Sequence, residues 1–329
     1  MINNQQTITE ALQAARQGVA LADLSHWGLL KISGEDRLRY LHNQSTNDFQ
    51  KLEPGQGCDT VFVTSTARII DLATAYVTEN AVLVLISPNR QQEMMEWLDR
   101  YIFPMDKVEL TDISSENAIF SLIGPESDAL LAQLGVEMSS GGAYAGHQEV
   151  MLGELKVRIA IGTGLALPGY TLIVPVTEAE KLEQTLRIAG AIPLDNQVWE
   201  QLRIEQGRPI PDQELTEDYN PLEAGLWQTI SFEKGCYIGQ ETIARLNTYK
   251  GVKQRLWGVR LQAPAEPGTV VTLNGDKVGK LTSYADTDQG AFGLVYIRTK
   301  AGGVGLRVQV GEVEGEIVDV PFLVHEYQE

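Results

Sequence analysis

The sequence has few cysteines, no long hydrophobic run and no recognisable leader. Its two cysteines, Cys58 and Cys236, are too few for a disulfide framework and lack the paired spacing of a zinc or iron–sulfur ligand set. The apolar run from Val82 to Ile86 is far shorter than the ~20 residues that cross a bilayer. The first residues show no basic start followed by an apolar stretch. We therefore expect a cytoplasmic protein that holds no metal of its own and does not enter a membrane.

Positive charge is also scarce. The chain has 26 basic and 44 acidic residues, which gives a formal net charge of −18 at pH 7. A field of this sign repels phosphate backbones and anionic lipid surfaces. We therefore expect no direct nucleic-acid partner and no binding to a membrane surface.

The 329 residues, of which 43% are hydrophobic, are enough for two or three domains with a sizeable core. Residues 1–248 mix helical and β patterns, which predicts an α+β region. A helix is predicted after Ser33, another that starts with Pro88 in its first turn, and a third after Thr177. The β runs of this region are 29–32, 60–64, 69–77, 82–86, 118–123, 156–161 and 170–174.

The sequence pattern changes in residues 249–329, where short β runs alternate with Gly, Pro, Asp and Asn. Six runs at this spacing predict a small antiparallel β-barrel as a separate C-terminal domain. The runs are 256–261, 270–273, 278–284, 291–297, 306–310 and 316–320.

The segment Lys234-Gly-Cys-Tyr-Ile-Gly-Gln-Glu241 carries the strongest chemical signal. Gly235 and Gly239 allow backbone angles that other residues avoid, so we expect Cys236 on a tight, exposed turn. The ammonium of Lys234, two residues away, favours a thiolate over a thiol. The alternative is that Cys236 is a small buried hydrophobic residue, as a lone cysteine usually is.

Basic residues cluster around this segment. Between Ser231 and Arg260 the chain has six basic residues and two acidic ones. This stretch is a positive island in an acidic protein, and it is either a docking surface or simply a solvated strand face. It is too small to be convincing as a track for a phosphate backbone.

The segment 234–241 resembles the signature of the YgfZ proteins, folate-binding relatives of glycine-cleavage aminomethyltransferase. The resemblance extends over nearly the whole chain and includes Gln44-Ser-Thr-Asn-Asp48, Leu52-Glu-Pro-Gly-Gln56 and Asn220-Pro-Leu-Glu-Ala-Gly225. It implies a ring of two α/β subdomains around a central folate site, followed by the C-terminal barrel. It also makes Cys236, Lys234, Tyr237 and Gln240 the candidate catalytic residues.

The same resemblance assigns folate contacts to Trp27, Trp199 and Arg203. The flat indole rings can stack on a pterin or aminobenzoyl ring. Arg203, one helical turn after Trp199, can bind a folate carboxylate through its forked donors. The plainer alternative places both tryptophans in the core and pairs Arg203 with Glu200 or Glu205.

Two positions differ from the pattern of the aminomethyltransferases to which this family is related. Arg68-Ile-Ile-Asp-Leu72 has Leu72 at the second position of an Asp-Asp pair, and Thr163-Gly-Leu165 has a leucine in place of a glutamate. Loss of such a charged partner costs about 1.5–3 kcal/mol of pterin binding. Asp71 remains as a candidate partner of the pterin, and the two replacements argue against aminomethyl transfer.

The resemblance implies an accessory protein that uses tetrahydrofolate or a one-carbon derivative and supports assembly or repair of iron–sulfur clusters. Its partners are then folate and iron–sulfur client enzymes or assembly factors, and any effect on tRNA modification is indirect. Two alternatives stay open, an aminomethyltransferase of glycine cleavage and a catalytically silent folate-binding scaffold. Whether the chain is an enzyme is also open.

Overall fold

In the computed structural model, residues 2–327 are described, and the chain forms two compact units. Three segments, Met1–Gln44, Asp48–Thr60 and Ala73–Trp199, make up the first unit. The second consists of Ser45–Asn47, Val61–Leu72 and Glu200–Glu329. Each unit is thus assembled from segments that are far apart in the sequence.

Helices and strands alternate up to Thr248, and strands dominate afterwards. The α-helices of the described chain are α1 (Ile2–Gln17), α2 (Arg37–Gln44), α3 (Gln91–Asp99), α4 (Ser127–Gln133), α5 (Ala179–Ile188), α6 (Asn196–Gln206) and α7 (Gln240–Thr248). Its strands are β1 (Ala20–Asp23), β2 (Gly28–Ser33), β3 (Gly57–Val63), β4 (Ile69–Val77), β5 (Ala81–Ile86), β6 (Glu109–Asp112), β7 (Asn117–Ile123), β8 (His147–Leu152), β9 (Leu155–Ile161), β10 (Gly169–Pro175), β11 (Ile192–Leu194), β12 (Gln254–Leu261), β13 (Val270–Leu273), β14 (Asp276–Thr287), β15 (Gly290–Arg298), β16 (Arg307–Val310) and β17 (Val313–Val318).

A six-stranded sheet in the first unit has the order β11-β1-β7-β10-β9-β8. The β1–β11 pair is parallel and the other pairs are antiparallel. Leu182 and Leu186, one helical turn apart on α5, pack with Leu122 and Leu172 of the sheet in one apolar core. The helix is held by burial of this stripe.

A five-stranded sheet has the order β3-β4-β5-β2-β6. Its hairpin β4–β5 places Val77 opposite Val82, and β2 runs antiparallel to β5 with Gly28 opposite Ile86. The connecting end of the β3–β4 hairpin, 61–72, belongs to the second unit. This hairpin therefore carries the chain from one unit into the other.

The last six strands form a closed barrel with the order β12-β15-β14-β13-β16-β17. Its core contains Val259, Leu281, Val295 and Ile317, all fully buried. A bulge between Leu281 and Ser283 bends β14 as it passes from one part of the barrel to the next. The predicted α+β fold with a C-terminal antiparallel barrel is confirmed.

One predicted helix start is wrong. Pro88 was expected in the first turn of a helix, but α3 begins at Gln91 and Arg90 is its N-cap residue. Asn89 takes a positive φ of 60°, which a helix does not allow. Pro88 therefore lies in the turn that precedes α3, for which its fixed φ is equally suitable.

Candidate functional site

Cys236 is exposed and lies in the segment 234–239, which precedes α7 in the second unit and ends in a turn at Ile238 and Gly239. We call this segment the Cys236 turn. The turn depends on Gly239, the N-cap residue of α7, which has a φ of 83°. A Cβ atom at this position would lie 2.9 Å from both the carbonyl oxygen of Thr64 and Cγ2 of Val63. Glycine is thus required here for its backbone angle and for the close approach of the 61–72 segment. The turn leaves the Cys236 thiol accessible to a partner molecule.

Lys234 anchors the same turn from inside. Its side chain is buried, and Nζ donates hydrogen bonds to the carbonyl oxygens of Ser45 at 2.8 Å and Asn47 at 2.6 Å. Nζ also lies 4.7 Å from the centre of the Tyr237 ring, within the range of a cation–π contact. The ammonium therefore fixes the Cys236 segment to residues 45–47.

Further hydrogen bonds connect the segment 45–47 to the rest of the second unit. Thr46 accepts a hydrogen bond from the backbone N–H of Ser231 at 3.0 Å and donates its hydroxyl to the carbonyl of Thr229 at 2.8 Å. The carbonyls of Ser45 and Asn47 were not among the predicted site residues, although Gln44–Asp48 was one of the segments that carried the family resemblance. Their partner, Lys234, lies 189 and 187 positions further along the chain.

Tyr237 and Gln240 shape the exit from the turn. The backbone N–H of Gln240 donates to the carbonyl of Tyr237 at 3.2 Å, and Gln240 is the first residue of α7. Burial raises the pKa of the Tyr237 hydroxyl. The phenol is therefore protonated at neutral pH, so Tyr237 can act as a hydrogen-bond donor or acceptor but not as a base.

In the first unit, Trp27 and Trp199 are brought together. Their ring centres are 5.6 Å apart and the planes meet at 80°, an edge-to-face pair. Trp27 is buried, with 4% of its surface exposed, and Trp199 is partly exposed. The indole Nε1 of Trp199 is buried and has no hydrogen-bond acceptor among the side chains and backbone groups that the structure describes. Such a donor is suited to a ligand that supplies an acceptor.

Arg203 is occupied by protein groups. Its guanidinium is fully buried and donates to both carboxylate oxygens of Glu200, to Glu214 Oε2 at 3.1 Å, to Gln213 Oε1 at 2.7 Å and to Ser283 Oγ at 2.9 Å. Of its five N–H groups, only one on Nη1 has no acceptor among the described residues. Pairing with Glu200, one of the two alternatives raised from the sequence, is what the structure contains. Binding of a folate carboxylate by Arg203 stays a prediction.

Asp71 is fully buried on β4, and its Oδ1 accepts a hydrogen bond from the N–H of Leu72 at 2.9 Å. Leu72 itself packs in an apolar core of the second unit, with 1% of its surface exposed. In the first unit, Leu165 is 5% exposed, and its N–H donates to Thr163 Oγ1 at 3.1 Å. Both leucines are therefore packed as hydrocarbon, and neither position presents a carboxylate.

Residues 3–234 match the family described as the GCVT N-terminal domain. The chain belongs to this family. A chloroplastic protein of Arabidopsis thaliana, named as a proposed transferase, is 46% identical over 321 residues, 97% of this chain and 74% of that protein. An aminomethyltransferase of Shouchella clausii is 30% identical over 326 residues, 94% of this chain and 88% of that protein.

The fold has a solved counterpart in the crystal structure of glycine cleavage system aminomethyltransferase T from Bartonella henselae. The TM-score is 0.85 over 98% of this chain and 91% of that chain, at 19% identity. This GCVT-family chain thus shares the fold of that solved structure.

Three other side chains of this GCVT-family protein that could react, those of Cys58, His147 and His325, are buried or partly buried. Cys58 is half-buried on β3. His147 Nε2 donates to the carbonyl of Val77 and Nδ1 accepts from Arg158 Nη1, both in the first unit. His325 Nε2 donates to the carbonyl of Leu256 in the second unit. Burial lowers the pKa of each to about 4, so both are neutral at pH 7. Neither is poised as a proton donor at that pH.

Residues 2–327 contain no group of three His, Cys, Asp or Glu side chains arranged to hold a metal ion. None of the described helices is both long enough and apolar enough to span a membrane.

Proposed function

We propose that this chain is a folate-binding accessory protein of the YgfZ type, which supports assembly or repair of iron–sulfur clusters in other enzymes through Cys236. The observation that carries the proposal is the exposed Cys236 turn, held between the buried Lys234 and the left-handed Gly239. A turn fixed in this way presents one thiol to a partner molecule at little cost in conformational entropy. The proposal sets this work in the reducing cytoplasm, where such a thiol stays reduced.

The tryptophan pair supports the folate part of the proposal. The edge-to-face contact fixes the rings of Trp27 and Trp199 relative to each other, and Trp199 Nε1 is a buried donor with no acceptor among the described groups. These features suit a flat heteroaromatic ring that carries acceptor atoms. Tetrahydrofolate or a one-carbon derivative would supply reducing or one-carbon chemistry when bound. Asp71 is the proposed partner of its pterin.

Each residue of the Cys236 turn has a separate part in the proposal. Cys236 supplies the nucleophilic sulfur, and Lys234 positions the turn through Ser45 and Asn47. Tyr237 packs over the Lys234 ammonium with its hydroxyl protonated, while Gln240 opens α7. Lys234 thus acts indirectly, by holding Cys236 in position.

Replacement of Cys236 tests the proposal. In cells that lack the endogenous protein, wild type should restore the activity of iron–sulfur enzymes under oxidative stress, and Cys236→Ser should not. Cys58→Ser is the matched control, because it removes the other thiol of the chain and should behave like wild type. Full activity with Cys236→Ser, expressed at the wild-type level, would remove the thiol from the mechanism.

The folate part has its own test. Tetrahydrofolate should quench the tryptophan fluorescence of the wild-type protein, and Trp199→Phe, which removes the Nε1 donor, should bind it less tightly. A Trp97→Phe variant, altered at a buried tryptophan of α3, is the control for the loss of one fluorophore. Equal affinity of the Trp199 variant and wild type would contradict the assignment.

Aminomethyl transfer is the second candidate function, favoured by the 0.85 TM-score and by relatives named aminomethyltransferase. The buried leucines at positions 72 and 165 count against it, since both lie where the resemblance leads one to expect a carboxylate. A glycine-cleavage assay with lipoyl carrier protein discriminates the two. Turnover comparable to that of an aminomethyltransferase would establish this second function.

A silent folate-binding scaffold is the third candidate. It requires an inert cysteine, whereas Cys236 is exposed. Labelling of the native protein with a thiol reagent should modify Cys236 faster than the half-buried Cys58. If Cys236 is not labelled in the folded protein, the scaffold becomes the better assignment.

A further inference from the structure

A basic recess lies in the second unit and includes Lys250 and Lys253 of the positive island described above. It is a cavity of about 700 Å³ between Arg68, the segment Lys250–Gln254 and the segment Arg298–Lys300. Five of its lining residues are cationic, namely Arg68, Lys250, Lys253, Arg298 and Lys300, and two are acidic, namely Asp218 and Glu223. The recess is thus positive in a chain whose net charge is −18.

The cations of the basic recess are not neutralised by ion pairs. Lys253, Arg298 and Lys300 are exposed and form no ion pair with any residue from 2 to 327. Arg68 donates to the backbone carbonyl of Asp218 at 2.9 Å, and Lys250 Nζ lies 6.0 Å from the ring centre of Tyr327. The positive charges remain available to a bound anion.

Glu223 is a buried acidic residue of the lining, and its carboxyl group interacts with Arg68, Lys253 and Gln254. The residue is 5% exposed, and its Oε2 accepts a hydrogen bond from the N–H of Asn220 at 3.3 Å. Burial raises the pKa of Glu223, although the nearby Arg68 and Lys253 act in the opposite direction. The two acidic residues of the lining, exposed Asp218 and buried Glu223, are thus outnumbered by five cationic side chains.

The backbone that carries Lys250 is unusual. Lys250 follows α7 with a φ of 50°, a conformation that glycine adopts at lower cost, and Gly251 is its neighbour. The N–H of Gly251 closes this helix end on the carbonyl of Leu246 at 2.9 Å. A lysine is therefore held at the bend that leads into the basic recess.

The composition of the lining restricts the ligand. No aromatic side chain lines the recess, so it offers no surface on which a nucleobase could stack. Lysine ammonium and arginine guanidinium groups together bind phosphate and carboxylate oxygens through charge-assisted hydrogen bonds. A cavity of this volume accommodates a small molecule.

We propose that the basic recess binds a compact oligoanion, a small molecule that carries two or more phosphate or carboxylate groups. The site does not depend on Cys236 or on the proposed folate chemistry. It gives the protein a second ligand, whose binding weakens as salt screens the exposed cations.

Isothermal titration calorimetry at low ionic strength tests this site, with pyrophosphate and citrate as probes. One of the two should bind with a stoichiometry of one per chain. Binding of pyrophosphate alone identifies a phosphate ligand, and binding of citrate alone identifies a polycarboxylate. If neither probe binds, the proposal is wrong.

Variants of the rim make the test specific. Arg298→Gln with Lys300→Gln should weaken binding about tenfold or more, since each removes a charge-assisted contact. Lys277→Gln, at an exposed lysine of β14 that does not line the recess, should leave the affinity unchanged. Equal affinity of the double variant and wild type would place the probe elsewhere and overturn the assignment.

Two competitions complete the test. A hexa-aspartate peptide that binds more tightly than both probes would make the recess a protein-docking surface, against the proposal. Displacement of the probe by tetrahydrofolate would make it part of a folate site, also against the proposal. Unchanged probe binding in the presence of tetrahydrofolate is the expected result.

Discussion

At the scale of single residues, the Cys236 turn depends on Gly239 and Lys234, and both residues act through the backbone. Gly239 permits the left-handed angle that precedes α7, and Lys234 donates to two carbonyls of the segment 45–47. Neither residue needs to contact a substrate in order to matter. Their replacement should first be felt as a change in stability and in the accessibility of the Cys236 thiol.

Gly239→Ala should lower the free energy of unfolding by about 2–4 kcal/mol. About 1–2 kcal/mol comes from a left-handed angle in a residue with a Cβ, and the remainder from the approach to the Thr64 carbonyl. Gly275→Ala is the matched control, because Gly275 has a φ of 89° but nothing lies within 4 Å of its added Cβ. Urea denaturation measures both, and equal losses would show that the contact with Thr64 costs nothing.

Lys234→Met should destabilise the second unit by about 1.5–3 kcal/mol. The apolar side chain fills similar space, but the carbonyls of Ser45 and Asn47 lose charged donors in a buried setting. Lys181→Met, at an exposed pair with Glu154, should change stability by less than about 1 kcal/mol. A loss for Lys234→Met no larger than this control would contradict the anchoring role.

At the scale of secondary-structure elements, the fully buried Arg203 connects α6 to the loop 210–215 and to β14. Its guanidinium meets Glu200 on its own helix, Glu214 in the loop and Ser283 on the barrel strand. Buried charges are tolerated only when each is paired and hydrogen-bonded. These three elements are therefore locked by one polar cluster rather than by hydrocarbon contact alone.

Glu214→Gln should cost at least about 2 kcal/mol of unfolding free energy. The amide keeps the shape, but it removes one of the two negative charges that face the buried Arg203. The control is Glu183→Gln, at the exposed i,i+4 pair with Arg187 on α5, which should cost under about 1 kcal/mol. Chemical denaturation of both variants decides, and a Glu214→Gln cost equal to that of the control would show that the network is not stabilising.

His147 gives the first unit a pH dependence. It joins β8 to the end of β4 through the Val77 carbonyl at 2.9 Å, and its Nδ1 lies 3.0 Å from Arg158 Nη1. Burial lowers its pKa from 6.5 to about 4, so the unfolded chain binds the proton more readily. The histidine thus contributes stability above pH 6.5, and this contribution, about 3 kcal/mol at most, falls as the pH drops to 4.

His147→Gln tests this sign, because glutamine can still donate to Val77 but does not titrate. Its unfolding free energy should vary less than that of wild type between pH 6.5 and pH 4. Identical pH profiles of the two proteins would mean that another group is responsible.

The elements differ in how far the sequence determined them. The predicted strand 69–77 coincides with β4, because a nine-residue apolar and β-branched run leaves no competing pattern. β8 was not predicted, since its charged and polar residues mask the alternation, and α3 starts three residues after Pro88 because of Asn89. Long-range contacts such as that of Lys234 with Ser45 leave no local trace in the sequence.

At the scale of the whole molecule, the turn residues that separate the short β runs after residue 249 were enough to predict the barrel. Its six strands form a closed barrel, as expected. The assignment of Trp27 and Trp199 to a folate site is a prediction from the family resemblance, and the packing of the two rings against each other could not be inferred from periodicity. Arg203 shows the limit most clearly. Its helical register was evident, but the choice between a ligand and the pair with Glu200 depended on residues 213–214 and 283.

The net charge of the entire chain predicts that its stability depends on salt. At pH 7 the formal charge is −18, and self-repulsion of this magnitude opposes the compact state. Added NaCl should therefore raise the midpoint of urea unfolding at pH 7, because it screens the repulsion. Near the isoelectric point of about 4.7 the salt effect should vanish. A salt response of the same size at both pH values would rule out self-repulsion as its cause.

Closure of the six-stranded barrel limits how copies of this protein can associate. Each of its strands already has a hydrogen-bonded neighbour on both sides, so this domain offers no open edge to which a foreign strand could be added. The sheets of the chain that do end in an outer strand finish at β3, β6, β8 and β11. Within the described part of the chain, those four strands are where recruitment of another polypeptide by strand addition, including the first step of fibril growth, would begin.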